Sequence, residues 1–129
     1  MRKTTMTVAL VALLVALFVT AAYALTGTSG ADDLVDPSSG NDSIYGAGGP
    51  DDIFGDYQQD GVADNDADLV AGNRGADFAS GRDKDTLDTV KGNRGSDICV
   101  IDRNVSSGAK DTLGGGCETV RTRDYDPTP

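Results

Sequence analysis

The chain has 129 residues, a formal net charge of −10, seventeen glycines, two cysteines, no tryptophan and no histidine. So acidic a chain offers no basic face for nucleic-acid phosphate. Without histidine it has no His-based triad, no imidazole base and no HExxH zinc motif, and it carries no G-x-S-x-G nucleophile elbow.

The N-terminus reads as an export leader. Arg2 and Lys3 precede an apolar run from Val8 to Val19, too short to span a bilayer comfortably, and Ala22-Tyr23-Ala24 supplies a small-x-small cleavage pattern. Residues 1–24 are therefore expected to be a signal peptide cleaved after Ala24, giving a secreted product; an uncleaved N-terminal anchor is the alternative. No second apolar run follows, so no membrane association is expected after cleavage. Loss of Arg2 and Lys3 takes the charge from −10 to −12 over one domain's length of chain. Of the 21 acidic residues only Glu118 is a glutamate. Aspartate is short, stiff and tolerant of turns, which suits carboxylates held in tight loops around a hard cation.

From residue 25 onward the chain repeats. Aspartate recurs at Asp32, Asp42, Asp51, Asp60, Asp68, Asp77, Asp88 and Asp97, with spacings of 10, 9, 9, 8, 9, 11 and 9 residues. Two positions after each stands a small or apolar residue: Leu34, Ile44, Ile53, Val62, Val70, Ala79, Val90 and Cys99. Glycine precedes the better copies, at Gly27/Gly30, Gly46/Gly49, Gly72/Gly75 and Gly92/Gly95. One rung reads G-x-x-G-x-D-x-U-x, with U apolar. The Gly-rich hexad predicts a turn, in which Asn73 and Asn93 can adopt left-handed backbone. The x-U-x triplet predicts a three-residue strand with its middle side chain inward.

Two rungs per turn place equivalent residues about 18 apart, stacked at the usual strand spacing of roughly 4.8 Å. The fold expected is all-β: a right-handed parallel β-roll with a thin core between two sheets, spanning residues 25–100. This stacking sorts the aspartates into two columns, one of Asp32, Asp51, Asp68 and Asp88, the other of Asp42, Asp60, Asp77 and Asp97. Carboxylates so close repel unless a cation lies between them, and calcium takes six to eight oxygen ligands of mixed carboxylate and carbonyl type.

The repeat resembles that of the RTX, or haemolysin-type, calcium-binding family, whose consensus is G-G-x-G-x-D-x-U-x. Gly46 to Phe54, Gly72 to Ser80 and Gly92 to Val100 carry the likeness best, and Gly27 to Val35 and Pro37 to Tyr45 also fit. The resemblance implies several bound Ca²⁺ ions, each held by sixth-position aspartates and by first- and third-position carbonyls. Those carbonyls would be Gly46 and Gly48 with Asp51, Gly72 and Arg74 with Asp77, Gly92 and Arg94 with Asp97, and Gly27 and Ser29 with Asp32. Gly55 to Ala63 keeps only its first glycine and its aspartate, the rung from Asp64 to Ala71 is one residue short, and Gly81 to Lys91 is two residues long. Calcium sites bordering those rungs are in doubt. Asp56 to Asp68 also resembles an EF-hand or thrombospondin type 3 loop, but Ala67 stands where an EF-hand needs its bidentate glutamate.

Beyond the repeats, Cys99 and Cys117 are expected to form a disulfide, as an even cysteine count favours in an exported chain. Residues 101–123 read as a C-terminal cap, in which Asp111-Thr112-Leu113 echoes one more rung and residues 118–121 form a terminal strand. Residues 124–129 read as a tail. Arg74, Arg82 and Arg94 are expected to face solvent. No enzymatic activity is expected, because the aspartates form a regular ladder with nothing to split their pKa values into an acid and a base. The function expected is extracellular calcium binding; the alternative is a cell-surface or matrix scaffold that adheres to cell-wall or matrix polymer.

Overall fold

A computed structural model describes residues 22–36, 40–55 and 66–126, and the apolar run of the leader, Asp60 and Val62 lie outside them. Ten strands follow in order: β1 (Ala24–Thr26), β2 (Asp33–Val35), β3 (Ser43–Tyr45), β4 (Asp52–Phe54), β5 (Leu69–Arg74), β6 (Phe78–Ser80), β7 (Thr89–Arg94), β8 (Ile98–Asn104), β9 (Thr112–Leu113) and β10 (Thr119–Tyr125). The described residues contain no helix.

Successive strands alternate between two sheets, ordered β1-β3-β5-β7-β9 and β10-β8-β6-β4-β2, and every strand pair is parallel. The architecture is the expected parallel β-roll. Each x-U-x triplet is a strand whose central residue points between the sheets: Ile44, Val70 and Val90 from one, Ile53, Ala79 and Cys99 from the other, all 0 % exposed. Leu34 and Ile101 complete the buried cluster, and Leu25 and Cys117 pack against it from the ends. A core one side chain thick is all that alternation between two three-residue strands can build, so the bends must hold the turns together.

The register corrects the expected period. Leu25, Ile44, Val70, Val90 and Leu113 align across the first sheet, and Leu34, Ile53, Ala79, Cys99 and Val120 across the second. Equivalent positions are 19 residues apart in the first turn, 26 from Ile44 to Val70 and from Ile53 to Ala79, 20 in the next, and 23 and 21 at Leu113 and Val120. In strand order β4 is followed directly by β5, in the opposite sheet. β3 pairs directly with β5 and β4 with β6, so the column membership of every later aspartate changes. Asp68 and Asp88 stack with Asp42, while Asp77 and Asp97 stack with Asp51 and Asp32.

The segment expected as a cap continues the two sheets. β9 joins the first, and β10 pairs with β8 along its whole length to Tyr125, into the residues expected as tail. Arg103 and Asp124 form an ion pair there at 2.7 Å. Cys99 and Cys117 form the expected disulfide, with Cα atoms 5.8 Å apart. Its geometry differs from simple stacking: Cys99 stacks on Val120, so Cys117 reaches it from the bend between β9 and β10. At the other end, Tyr23 and Ala24, expected in the leader, join the roll. Ala24 pairs with Ser43, and the Tyr23 amide donates to Asp42 Oδ1.

Candidate cation sites in the two bend stacks

Alternation between sheets creates two stacks of bends, one on each side of the roll. Bends from the first sheet to the second are the regular Gly-rich hexads. They hold Gly27 to Asp32, Gly46 to Asp51, Gly72 to Asp77 and Gly92 to Asp97, and the last bend ends at Glu118. Every carbonyl residue implied by the family resemblance (Gly27, Ser29, Gly46, Gly48, Gly72, Arg74, Gly92 and Arg94) falls in this stack. Bends in the other direction are irregular and hold most of the remaining acids: Asp36 and Asp42, Asp66 and Asp68, Asp83, Asp85 and Asp88, then Asp111, with Asp102 near the end of β8 bonded to Asp111.

In the glycine-rich stack the aspartates form a hydrogen-bonded ladder. The amide of each donates to Oδ1 of the next: Asp32 to Asp51 at 2.9 Å, Asp51 to Asp77 at 3.0 Å and Asp77 to Asp97 at 2.9 Å. The Asp97 amide ends the series on Glu118 Oε2 at 2.7 Å, which accounts for the lone glutamate: its longer side chain replaces the sixth-position aspartate in the last bend. The Arg74 and Arg94 carbonyls accept the amides of Gly49 and Gly75, both at 2.9 Å. Gly75 has φ of +147°, and a Cβ there would collide with the Gly49 carbonyl, so the fourth hexad position needs glycine. Ala47, Asn73 and Asn93 take the left-handed position before it, with φ of 74°, 77° and 77°. The expected role of the two asparagines holds. Arg74, Arg82 and Arg94 are exposed, as expected.

The acid-rich stack begins with the same ladder. The Asp42 amide donates to Asp68 Oδ1 at 2.8 Å, and the Asp68 amide to Asp88 Oδ1 at 2.9 Å. Around it the longer bends fold extra carboxylates inward. Asp83 Oδ1 accepts the Asp85 amide, Asp85 Oδ1 the Leu87 amide, and Asp102 Oδ2 the Lys84 amide, each at 2.8 Å. Asp111 Oδ2 accepts the Asp102 amide at 2.7 Å. Two groups of carboxylates result, Asp66 with Asp83 and Asp85, and Asp85 with Asp88 and Asp111. In each, one oxygen per residue lies within 4.8 Å of the others, and all five residues are buried. Asp88 Oδ2 and Asp111 Oδ1 have no hydrogen-bond partner.

This environment perturbs titration strongly. Burial, then the charge of Asp83, pushes the Asp88 carboxyl up to about 10. Burial raises Asp111 to about 7, with Asp102 adding repulsion, and raises Asp68 to about 7, with Asp66 adding most of the repulsion there. Asp102 is also raised by burial, against the opposing charges of Arg123 and Arg82. In the glycine-rich stack Asp51 and Asp77 are raised as well, again through burial first. The ladder is therefore not electrostatically uniform, contrary to expectation. Two ionised carboxylates at such separations repel by about 3–4 kcal/mol at an effective dielectric of 20, and a divalent cation among them reverses the sign.

Among the described residues, the sequence-predicted Asp32, Asp42, Asp51, Asp68, Asp77, Asp88 and Asp97 all line a bend stack, whereas the expectation for Asp60 lies outside them. Periodicity missed Asp66, Asp83, Asp85 and Asp102 and saw Asp111 only as a rung. The signal available was the local D-x-D spacing at Asp66/Asp68 and Asp83/Asp85, with Asp88 three residues further on. Those lie in the irregular rungs where sites were in doubt. Such a set of hard oxygen donors fits calcium chemistry. The chain matches no family model, no curated protein and no solved structure.

Proposed function

We propose that this protein is an exported calcium-binding β-roll whose folding is coupled to the ion. One observation carries the reading: Asp85, Asp88 and Asp111 bring buried carboxylate oxygens within 4.8 Å of one another, and Asp88 and Asp111 each keep an oxygen without a hydrogen-bond partner. Calcium is favoured over softer metals because the donors are all oxygen and no histidine or free thiol is present. The likeness of the nonapeptides to RTX repeats supports the same ion. The leader pattern and the Cys99–Cys117 disulfide support export to an oxidising, calcium-rich compartment.

Each site filled at ten times its dissociation constant adds about 1.4 kcal/mol to folding. A few sites are then a sizeable share of a small domain's net stability of about 5–15 kcal/mol. Far-UV circular dichroism during calcium titration of the metal-stripped protein tests the coupling. A calcium-dependent gain of β signal is expected; an identical spectrum and thermal midpoint with and without calcium would refute it.

A second reading, adhesion to cell-wall or matrix polymer, is favoured by the outer face of the second sheet. Phe54 and Phe78 pack with ring centroids 5.7 Å apart beside a groove of about 290 Å³ that is edged by Arg82, Arg121 and Arg123. Co-sedimentation with acidic and neutral polymers at fixed calcium tests it, and loss of binding in Arg121→Ala is expected.

A further inference from the structure

We infer that the two bend stacks divide the work: the cation is held by the acid-rich stack, at a centre made by Asp85 and Asp88 from the β6–β7 bend and Asp111 from the β8–β9 bend, while each bend of the glycine-rich stack offers one carboxylate to its ladder. This rests on the calcium reading above and reverses which positions matter within it. The nonapeptide pattern points to the regular hexads as the ion sites; the geometry points to the bends that depart from it.

Two observations place the centre. Among the described residues, the only groups of three acids within ligand distance of one another lie in the acid-rich stack. Asp88 and Asp111, 1 % and 2 % exposed, each hold an unpartnered oxygen beside that group. In the glycine-rich stack Asp51, Asp77 and Asp97 also keep Oδ2 unpartnered, but among the described residues no three acids there come within ligand distance of one another. Each bend there supplies a single carboxylate, and the third-position carbonyls of Arg74 and Arg94 already accept amides. The extra residues of the β6–β7 bend thus have a purpose: they carry Asp83 and Asp85 inward, and a cation at Asp88 and Asp111 ties two successive turns together. Calcium needs several carboxylates as well as carbonyls, and only the irregular bends converge that many.

Terbium(III), a calcium surrogate excited through tyrosine, tests the placement. The chain has no tryptophan, so tyrosine is the sensitiser. Tyr125 stands opposite Asn104 at the end of β8, and burial, with a contribution from the charge of Asp85, raises its phenol. Wild-type protein should show calcium-displaceable terbium emission. Tyr125→Phe should lose most of that emission while calorimetric calcium affinity stays unchanged. Asp88→Asn and Asp111→Asn should each weaken calcium binding by at least about tenfold, the loss of one charged ligand, whereas Asp77→Asn and Asp97→Asn should stay within about threefold. Tyr125→Phe keeps the test decisive if a carboxylate variant does not fold. Loss of binding in Asp77→Asn but not in Asp88→Asn, or emission unchanged by Tyr125→Phe, would overturn the assignment. Absence of any binding by the wild type would overturn the calcium reading itself.

Discussion

Replacing Asp88 by asparagine should stabilise the metal-free protein at pH 7 and reduce the stabilisation that calcium adds. In the metal-free fold the Asp88 carboxyl titrates at about 10 against 3.8 for an ordinary aspartate, with burial as the largest cause. A folded-state pKa above the unfolded one means that the native state binds the extra proton. Its contribution therefore favours folding least at high pH, and stability falls as pH rises from 3.8 toward 10. At pH 7 the cost of keeping that proton is about 4 kcal/mol, at 1.36 kcal/mol per pH unit.

Asparagine keeps the Oδ1 that accepts the Asp68 amide and never ionises, so it escapes this cost. Its buried amide group gives back about 1–3 kcal/mol if it finds no acceptor. Metal-stripped Asp88→Asn should then be more stable than the wild type by about 1–3 kcal/mol at pH 7, with the advantage crossing zero between about pH 4.5 and 6 and reversing at pH 4. In saturating calcium that advantage should shrink by about 1.4 kcal/mol or more, the energy of a tenfold or greater loss of affinity, because the variant has lost a charged ligand. Urea denaturation followed by circular dichroism at pH 4, 5.5 and 7, with and without calcium, reads all of these values. A metal-stripped variant less stable than the wild type at pH 7, or a difference that does not vary with pH, would refute the electrostatic account.

Three further outcomes follow from the same geometry. Reducing the Cys99–Cys117 bridge, which closes 18 residues, should cost about 3 kcal/mol in urea denaturation at fixed calcium if it acts on the unfolded chain, and a loss below about 1 kcal/mol would argue otherwise. Ile53→Ala, at a fully buried position in a core one side chain thick, should cost about 2–5 kcal/mol in the same assay. Gly75→Ala, which drives a Cβ into the Gly49 carbonyl, should lower stability by about 3 kcal/mol or more, while Gly108→Ala, also at positive φ but with nothing within 4 Å, should cost only about 1–2 kcal/mol.

The strands and the core were legible in the sequence because they depend on local rules. A small or apolar residue two positions after each aspartate dictates an inward side chain. The glycine hexads dictate bends, and the placing of Asn73 and Asn93 beside Gly75 and Gly95 dictates which bend positions are left-handed. The two-sheet parallel roll and the inward Leu34, Ile44, Ile53, Val70, Ala79, Val90 and Cys99 followed from such rules, and the disulfide from the even cysteine count. Column membership did not, because it is a property of parity. Because β3 pairs directly with β5 and β4 with β6, Asp68 and Asp88 fall on the side of Asp42, and Asp77 and Asp97 on that of Asp51, opposite to the sorting that a strict count of rungs gives.

The candidate site was the least legible part. Periodicity selects residues for regularity, whereas Asp66, Asp83, Asp85 and Asp111 converge because their bends are irregular and fold inward where a nine-residue rung would have passed straight on. The sequence by itself determined that this chain stacks short strands and buries aspartates between them. Only the tertiary structure decided which aspartates face each other, since that depends on how many residues each bend consumes before the chain returns to its sheet.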